Sequence, residues 1–213
     1  FGAPDIPVGA PATTWTVRDV MALMESWYPA ATAQSWDRVG LIVGDPDSPV
    51  RSILLALDPT AAIADQAVAG PHGGGNPYDM VITHHPLLLR GASFLPVTDP
   101  KGAVVTTLIR SGIALFNAHT NADVACDGVA TALADLIGLR DTVPLEPCGT
   151  DAEGREIGLG RVGTVAETTL GSFADHVASV LPAGPSGLFV GGDEAAPVRR
   201  VAVLGGAGDS ALE

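Results

Sequence analysis

The sequence predicts an α/β protein built around a largely parallel sheet, and three observations indicate this fold class. Short apolar runs typical of buried strands alternate along the chain with segments of helical periodicity. The links between them are short and rich in Gly, Pro, Asp and Asn. The composition, with 46% hydrophobic and 16% charged residues over 213 positions, is that of a globular protein.

Five segments have the apolar spacing and the end residues of helices. In the first, apolar residues recur at helical spacing from Val17 to Trp27. Thr14 or Thr16 can cap its start, and Pro29 ends it. The predicted helices are residues 15–28, 61–68, 101–111, 127–138 and 169–181.

Short apolar runs between these helices are typical of strands. The run ILLAL at 53–57 is bounded by charge, as expected for a strand buried on both faces. Residues 149–160 are polar and contain glycine, so they form either a boundary between lobes or an exposed hairpin. The predicted strands are 40–43, 53–57, 80–83, 113–116 and 201–204.

A short motif that occurs twice in the chain indicates a duplicated, two-lobed fold. Pro-Val-Arg at 49–51 introduces the strand at 53–57. Pro-Val-Arg at 197–199 likewise introduces the strand at 201–204, which also turns into small residues.

The predicted domain organisation follows from this pattern. A first α/β lobe is expected over 14–145, and a connector with the start of a second lobe over 146–213. This second lobe is expected to be incomplete in this chain. Residues 1–13, rich in Pro, Gly and Ala, are predicted to be a flexible leader.

Acidic residues dominate the charge of the chain. Its 24 Asp and Glu residues against 11 Lys and Arg give a net charge of −13. A field of this sign repels nucleic acid and anionic membranes, so neither is an expected partner. No apolar run approaches the length of a membrane span and no secretory segment is recognisable, so a cytoplasmic protein is expected.

Two motifs are absent from the sequence, and this disfavours several kinds of site. Cys126 and Cys148 do not stand at CxxC spacing, which disfavours a cysteine-rich zinc site and a disulfide scaffold. The sequence contains no Gly-x-Ser-x-Gly motif, which disfavours a serine hydrolase.

Side chains with metal-binding chemistry follow three of the predicted strands. In an open α/β sheet, ligands gather beyond the carboxyl ends of the strands. Imidazole and carboxylate together are the donor set of a divalent hydrolytic metal, so we predict a metal site at this edge. The side chains concerned are Asp58 and Thr60, His84 and His85, and His119 and Asp123.

The roles within this group stay open. Adjacent His84 and His85 point to opposite sides of an extended chain, so they serve either two metals or one metal and its surroundings. Asp123 can bind one ion or bridge two. The alternative is that each of these residues is simply a satisfied polar group at the end of a strand.

Other candidates have two interpretations each. Asp58 and Thr60 either support the site or cap the following helix. Asp37 either orients a loop or caps a turn, and Trp36 beside it is expected in the core. The glycines at 205–208 resemble a phosphate-binding turn but lack the Lys-Ser/Thr of a P-loop.

Seven motifs stand in a distinctive order along the chain. They are WDRVGLIVG (36–44), LLALDPT (54–60), VITHHPLLLRG (81–91), NAHTNAD (117–123), LADLIGL (133–139), GLGRVG (158–163) and RRVAVLGGAGDS (199–210). This order resembles the Nif-three-like family, whose members are often named type-two GTP cyclohydrolase I homologues. The resemblance runs from about Trp15 to the last residue, and His-His-Pro followed by His-Thr-Asn-x-Asp is its most specific part.

The resemblance implies a two-lobed α/β fold with mixed, largely parallel sheets flanked by helices, a ring-shaped homohexamer and a dinuclear metal centre between the lobes. The paired histidines of the family match His84 and His85, and its carboxylate ligand matches Asp123. His119 matches the histidine that opens the same motif and is expected near the metals as a supporting or acid–base group. The remaining ligands of the family, a His and a Glu, have no match after Gly205, so an incomplete site is expected.

Three functions are hypotheses at this point. The first is metal-dependent hydrolysis of a nucleotide or related small molecule by two divalent ions, with His119 moving a proton. Zinc, iron and manganese all suit the predicted donors, and Arg90 or Lys101 can bind phosphate. The second is a non-catalytic metal-binding or regulatory hexamer. The third is a nucleotide-binding module without metal that uses the glycines at 205–208.

Overall fold

The computed structural model describes residues 14–71, 74–206 and 208. Within them the chain is a mixed α/β protein whose sheets are flanked by helices, as the sequence predicts. It divides between His119 and Thr120 into two compact units. The predicted leader lies outside the described residues, and the predicted lobe limits at 145 and 146 stay a prediction.

The first unit is built on a four-stranded sheet. Its elements in chain order are β1 (Trp15–Thr16), α1 (Val17–Trp27), β2 (Gly40–Val43), β3 (Pro49–Val50), β4 (Ile53–Ala56), α2 (Ala61–Ala69), β5 (Met80–Thr83), α3 (Pro100–Arg110) and β6 (Ala114–Asn117). The sheet order is β2, β6, β5, β4. Strands β4, β5 and β6 are parallel, and β2 is antiparallel to β6.

Side-chain caps start the three helices of this unit. Thr16 and Asp19 form a capping box at α1, each accepting a hydrogen bond from the backbone N–H of the other. Thr60 caps α2, and Asp99 caps α3 by accepting bonds from the first backbone N–H groups. Of the two interpretations of Thr60, the structure therefore supports the helix cap.

Apolar side chains on one face of the sheet form the core of the first unit. The strands β4, β5 and β6 contribute Leu54, Val81 and Leu115, which the parallel register places on the same face. Ala64 of α2 and Leu108 of α3 belong to the same core. The opposite face of β5 and β6 is largely buried as well.

The three parallel strands end at the same level. Ala56 lies opposite Thr83, and Thr83 lies opposite Asn117. Because the carboxyl ends of parallel strands meet at one edge, the residues that follow all three strands leave the sheet side by side.

The second unit contains a three-stranded sheet and a hairpin. Its elements are α4 (Thr120–Val124), α5 (Val129–Leu136), β7 (Arg140–Val143), β8 (Glu146–Thr150), β9 (Glu156–Leu159), β10 (Arg161–Thr169), α6 (Leu170–Val180) and β11 (Pro197–Val203). The sheet order is β11, β10, β7, and its pairings are antiparallel. Its core includes Ala134, Ile137, Leu139 and Val203.

The sequence did not predict two strands of this unit. The largely parallel arrangement holds in the first unit, whereas β7 and β10 pair antiparallel in the second. Neither strand is a continuous apolar run, because three of the four residues of β7 are polar and β10 mixes Thr and Glu with its apolar residues. Of the two alternatives for residues 149–160, the structure forms the hairpin between β8 and β9.

The predicted helix at 127–138 is α5, which begins later and is preceded by the separate short helix α4. Gly128 explains the break, because a Cβ at this position would lie 2.1 Å from the carbonyl oxygen of Ala122. Asp123 is consequently a helical residue of α4. None of the helices in the described part of the chain has the length and apolar character needed to cross a membrane.

Candidate metal centre

Three histidines come together at the carboxyl edge of the first sheet. His84 and His85 follow β5 directly, and His119 lies two residues after β6. Their ring centroids are 5.1 Å apart for His84 and His85, 5.1 Å for His84 and His119, and 5.7 Å for His85 and His119. One nitrogen from each ring lies within 4.8 Å of those of the other two, so this cluster could hold a metal ion.

A bend in the chain lets the adjacent histidines face the same group. The backbone bends at His84 and His85, where an extended chain would turn their rings to opposite sides. The Thr83 hydroxyl donates a hydrogen bond to the His85 carbonyl at 2.9 Å, and the His85 N–H donates to the Leu57 carbonyl at 2.9 Å. The argument from opposite sides is therefore wrong for this pair, because it presumed that the strand continued.

Each imidazole of the cluster has its Nδ1 atom against a different oxygen. Nδ1 of His84 lies 3.0 Å from the Ala118 carbonyl. Nδ1 of His85 lies 2.7 Å from Oδ1 of Asp58. Nδ1 of His119 lies 3.0 Å from Oδ1 of Asp37.

These contacts assign the neutral tautomer of all three rings. A carbonyl or an ionised carboxylate can only accept a hydrogen bond, so each Nδ1 carries the proton and donates. The lone pair of each neutral ring is then on Nε2. Histidine ligands of metals in proteins have this arrangement, with the second nitrogen held by a carbonyl or carboxylate. The donor set therefore fits a divalent transition metal.

The two carboxylates beside the cluster differ in their surroundings. The Asp37 side chain is fully buried and that of His119 is 15% exposed. By contrast, the side chains of Asp58 and His85 are 54% and 44% exposed. Water competes less with the Asp37–His119 hydrogen bond than with the Asp58–His85 bond, so the Asp37 contact is the stronger constraint.

Two neighbouring residues add to the environment of His119. Trp36 makes an edge-on contact with the His119 ring at 5.9 Å and is 55% exposed, so its predicted place in the core is wrong. The indole lies against the imidazole rather than among the apolar residues of the core. The buried Asn117 donates from Nδ2 to the Arg38 carbonyl at 3.0 Å, which ties the loop that carries Asp37 to β6.

Asp123, the predicted carboxylate ligand, is the half-buried fourth residue of α4 in the second unit. A Cβ on Gly205 would lie at an ordinary van der Waals distance of 4.0 Å from its Oδ1, so the backbone after β11 passes near this carboxylate. The assignment of Asp123 as a metal ligand stays a prediction.

The remaining candidates are described by their exposure. Arg90 and Lys101 are exposed, as is His176 on α6. The glycine turn at 205–208 is described only in part, and His72 lies outside the described residues. Phosphate binding by Arg90 or Lys101 stays a prediction.

Sequence reasoning missed the buried Arg161 at the start of β10. The residue is 3% exposed, and burial lowers the pKa of its guanidinium below the ordinary value. Ala125 and Cys126 follow α4, so the guanidinium holds the segment next to Asp123. Its five N–H groups donate to Thr131 Oγ1 and to the carbonyls of Ala125, Cys126, Gly158 and Gly160 at 2.9–3.2 Å. The GLGRVG motif was the only signal for it.

The fold and the cluster together define a mixed α/β protein with a candidate transition-metal site of imidazole donors. The comparison with known families agrees with the motif order. The chain belongs to the Duf34/NIF3 (NGG1p interacting factor 3) family, whose profile matches residues 15–213.

Curated relatives support this membership. A Streptomyces coelicolor protein named GTP cyclohydrolase 1 type 2 homolog is 44% identical over 196 residues, which cover 92% of this chain and 66% of the relative. A Mycobacterium tuberculosis protein of the same name is 46% identical over 129 residues, covering 61% of this chain and 32% of the relative. The chain thus spans slightly less than two thirds of the first relative and about a third of the second.

Solved structures share the fold. A hypothetical protein of Staphylococcus aureus has a TM-score of 0.79 at 31% identity, over 92% of this chain and 73% of that one. A Bacillus cereus protein related to NIF3 has a TM-score of 0.81 at 26% identity, over 92% of this chain and 78% of that one.

Proposed function

We propose that this chain forms the metal-binding part of a hydrolase that acts on a nucleotide or a related small molecule. The observation that carries the proposal is the grouping of His84, His85 and His119, with one nitrogen of each ring within 4.8 Å of the others. The names of the relatives support the choice of substrate class, because they are called homologues of a GTP cyclohydrolase.

The donor set supports a catalytic rather than a purely structural ion. Three protein ligands with an open position are typical of catalytic zinc sites, whereas structural zinc sites are closed by four. Imidazole also suits iron, nickel and copper, so availability decides the metal among zinc, iron, manganese and similar ions. A divalent ion supplies a strong nucleophile from water near neutral pH and polarises the bond under attack.

The residues of the chain have distinct parts in this proposal. His84 and His85 hold the ion through Nε2, because their Nδ1 atoms donate to Ala118 and Asp58. His119 either completes the ligand set or moves a proton, as expected from the sequence. Asp123 as a further ligand, and with it a second ion, remain part of the proposal.

The first experiment compares metal content across matched histidine variants. His84→Ala and His85→Ala are expected to lose the ion that reloaded wild-type protein retains in elemental analysis. His176→Ala removes an exposed histidine outside the cluster and is expected to retain it. Retention by His119→Ala would assign this residue to proton transfer, and its loss would assign it to the ligand set.

Activity is then measured on the metal-loaded protein with GTP and a panel of other nucleotides. Turnover that disappears in His85→Ala and survives in His176→Ala is the expected result. An absence of metal in the wild type, or equal metal content in the wild type and both cluster variants, contradicts the proposed site.

A second candidate is a non-catalytic, metal-binding homohexamer acting in the cytoplasm. The observation that favours it is the apolar edge strand β4 and the residue after it, where Leu55 is 73% and Leu57 is 59% exposed. Apolar side chains in this setting are typical of surfaces that pack against another protein. Metal bound by the three histidines without turnover of any nucleotide would select this function over the first.

A further inference from the structure

We propose that Asp37 holds His119 as its Nδ1–H tautomer before any metal binds, and that the cluster depends on this buried carboxylate more than on Asp58. Asp37 is then a positioning residue that acts on a metal through an imidazole. The inference deepens the proposed function and rests on it where metal affinity is concerned. The tautomer itself is a property of the metal-free protein.

The contact is a buried charge-assisted hydrogen bond. Oδ1 of Asp37 lies 3.0 Å from Nδ1 of His119, and its side chain is fully buried. The same oxygen accepts a second hydrogen bond from the Arg38 backbone N–H at 2.8 Å. A carboxylate that accepts from two N–H groups in a protein interior is fixed in orientation, and it fixes the ring that donates to it.

Two contacts hold the loop that carries this carboxylate. The Asp37 N–H donates to the Gln34 carbonyl at 2.9 Å, which closes a turn just before it. The Arg38 carbonyl, just after it, accepts from Nδ2 of the buried Asn117 at 3.0 Å. Asn117 ends β6, and His119 lies two residues further on. The same strand therefore positions both the loop that carries Asp37 and the ring of His119.

The edge of the His119 ring is also covered. Trp36 lies beside Asp37 in the chain and contacts the imidazole edge-on with the ring centroids 5.9 Å apart. A rotation of the ring about its bond to Cβ would break both the hydrogen bond to Asp37 and the edge-on contact with Trp36. The imidazole therefore has one preferred orientation in the metal-free protein.

Asp58 offers a natural comparison within the same cluster. It accepts from His85 at 2.7 Å, and yet both side chains of that pair are about half exposed. Water can replace an exposed carboxylate as the partner of Nδ1, so the loss of Asp58 leaves the ring with a substitute. Asp37 is fully buried and the side chain of His119 is only 15% exposed, so water replaces Asp37 less readily as the partner of Nδ1.

The loss of a carboxylate that supports a histidine ligand has a known effect on metal affinity. Carboxylates behind histidine ligands fix the ring and raise its basicity, and their removal costs about 10–100-fold in metal affinity. With His119 in the ligand set, Asp37→Asn is expected to weaken Co²⁺ binding by this amount, since it keeps an acceptor and loses the charge. We expect a smaller change, on the order of a few-fold, for Asp58→Asn because solvent screens that pair.

The test begins with the metal-free protein. Long-range ¹H–¹⁵N spectra, recorded where imidazoles are neutral, report which nitrogen of each histidine carries the proton. His119 is expected as the Nδ1–H tautomer in the wild type, and Asp37→Ala is expected to shift it toward the Nε2–H form. Asp37→Asn is the second variant, since it keeps the shape of the buried site if the alanine variant fails to fold.

Titration with Co²⁺, followed by its visible absorption, then compares Asp37→Asn with Asp58→Asn. An Nε2–H tautomer at His119 in the wild type overturns the inference, and so does an equal loss of affinity in the two variants. If wild-type protein binds no Co²⁺, the proposed metal site fails. The tautomer measurement on the metal-free protein still decides separately what Asp37 does.

Discussion

At the scale of single residues, the structure shows hydrogen bonds between side chains that lie far apart in the sequence. Asp58 and His85 stand 27 positions apart, and Asp37 and His119 stand 82 apart, yet each pair is in direct contact. Both carboxylates are ordinary in the sequence, and only the fold reveals which ring each one meets.

Replacement of the buried Arg161 is expected to lower the stability of the protein substantially. Arg161→Lys keeps a positive charge but offers three N–H donors where the guanidinium offers five. Buried carbonyls of Ala125 and Cys126 then lose partners, and the free energy of unfolding should fall by about 2–4 kcal/mol. Urea denaturation measures the change.

Arg200→Lys, on the exposed surface of β11, is the matched control for that variant. It should stay within about 0.5 kcal/mol of the wild type. Equal stability of the Arg161 and Arg200 variants would show that the guanidinium contacts contribute nothing specific.

At the scale of elements, a carboxylate joins the starts of two neighbouring strands. Asp79 precedes β5 and accepts hydrogen bonds from the backbone N–H groups of Arg51 and Ser52, which precede β4, at 2.9 and 3.0 Å. Partial burial raises the pKa of Asp79, but these bonds and those from the side chains of Arg51 and Ser52 outweigh it. The pKa is therefore held below its ordinary value of 3.8.

This pKa shift makes a part of the stability depend on pH. A carboxyl whose pKa is lowered by folding stabilises the protein above its unfolded pKa, and the contribution is lost as the pH falls through the folded pKa. Asp79→Asn should therefore lower the free energy of unfolding by about 1–3 kcal/mol at neutral pH and make little difference at strongly acidic pH.

Denaturation of both proteins across this range checks the expectation. Asp65→Asn, on the exposed side of α2, serves as the control because it removes one charge without touching the strand starts. A difference between wild type and Asp79→Asn that is the same at every pH would contradict the assignment.

The elements that the sequence predicts best are those whose pattern is local. β5 and β6 are apolar runs because both of their faces are largely buried, so the run itself is diagnostic. β4 is also an apolar run, but it is an edge strand with Leu55 73% exposed, so the expected burial of 53–57 on both faces is wrong. β10 extends over nine residues from Arg161 to Thr169 but alternates buried and exposed positions, and no apolar run marks it.

The candidate site, like the fold, has one part that the sequence predicts and another that it does not. That His84, His85 and His119 leave one edge of the sheet follows from the parallel direction of β5 and β6, which the sequence predicts. That both adjacent rings turn to the same group depends on the bend after Thr83, and that Asp37 meets His119 depends on a loop of no regular structure. Tertiary packing determines both of these contacts, and neither produces a periodic pattern in the sequence.

At the scale of the whole molecule, charge and apolar surface act in opposite directions. A net charge of −13 keeps copies of the chain apart, whereas the exposed Leu55 of β4 favours contact between protein surfaces. If copies assemble through this strand, Leu55→Lys should shift light-scattering mass toward the single chain. Its stability should change by no more than about 0.5 kcal/mol, since the side chain is exposed.

Gln66→Lys adds the same charge on the exposed surface of α2 and should leave the mass unchanged. An unaltered mass in the Leu55 variant, or an equal decrease in both variants, would exclude β4 as the assembly surface.

The contact between Trp36 and His119 gives the molecule an optical property. An indole is fluorescent, and an open-shell ion held by a neighbouring imidazole quenches such emission. Trp27 packs edge-on against Tyr28 instead, with the ring centroids 6.4 Å apart. The Trp36 share of the emission, obtained by comparison with a Trp36→Phe variant that keeps Trp15 and Trp27, would consequently report an ion held by His119.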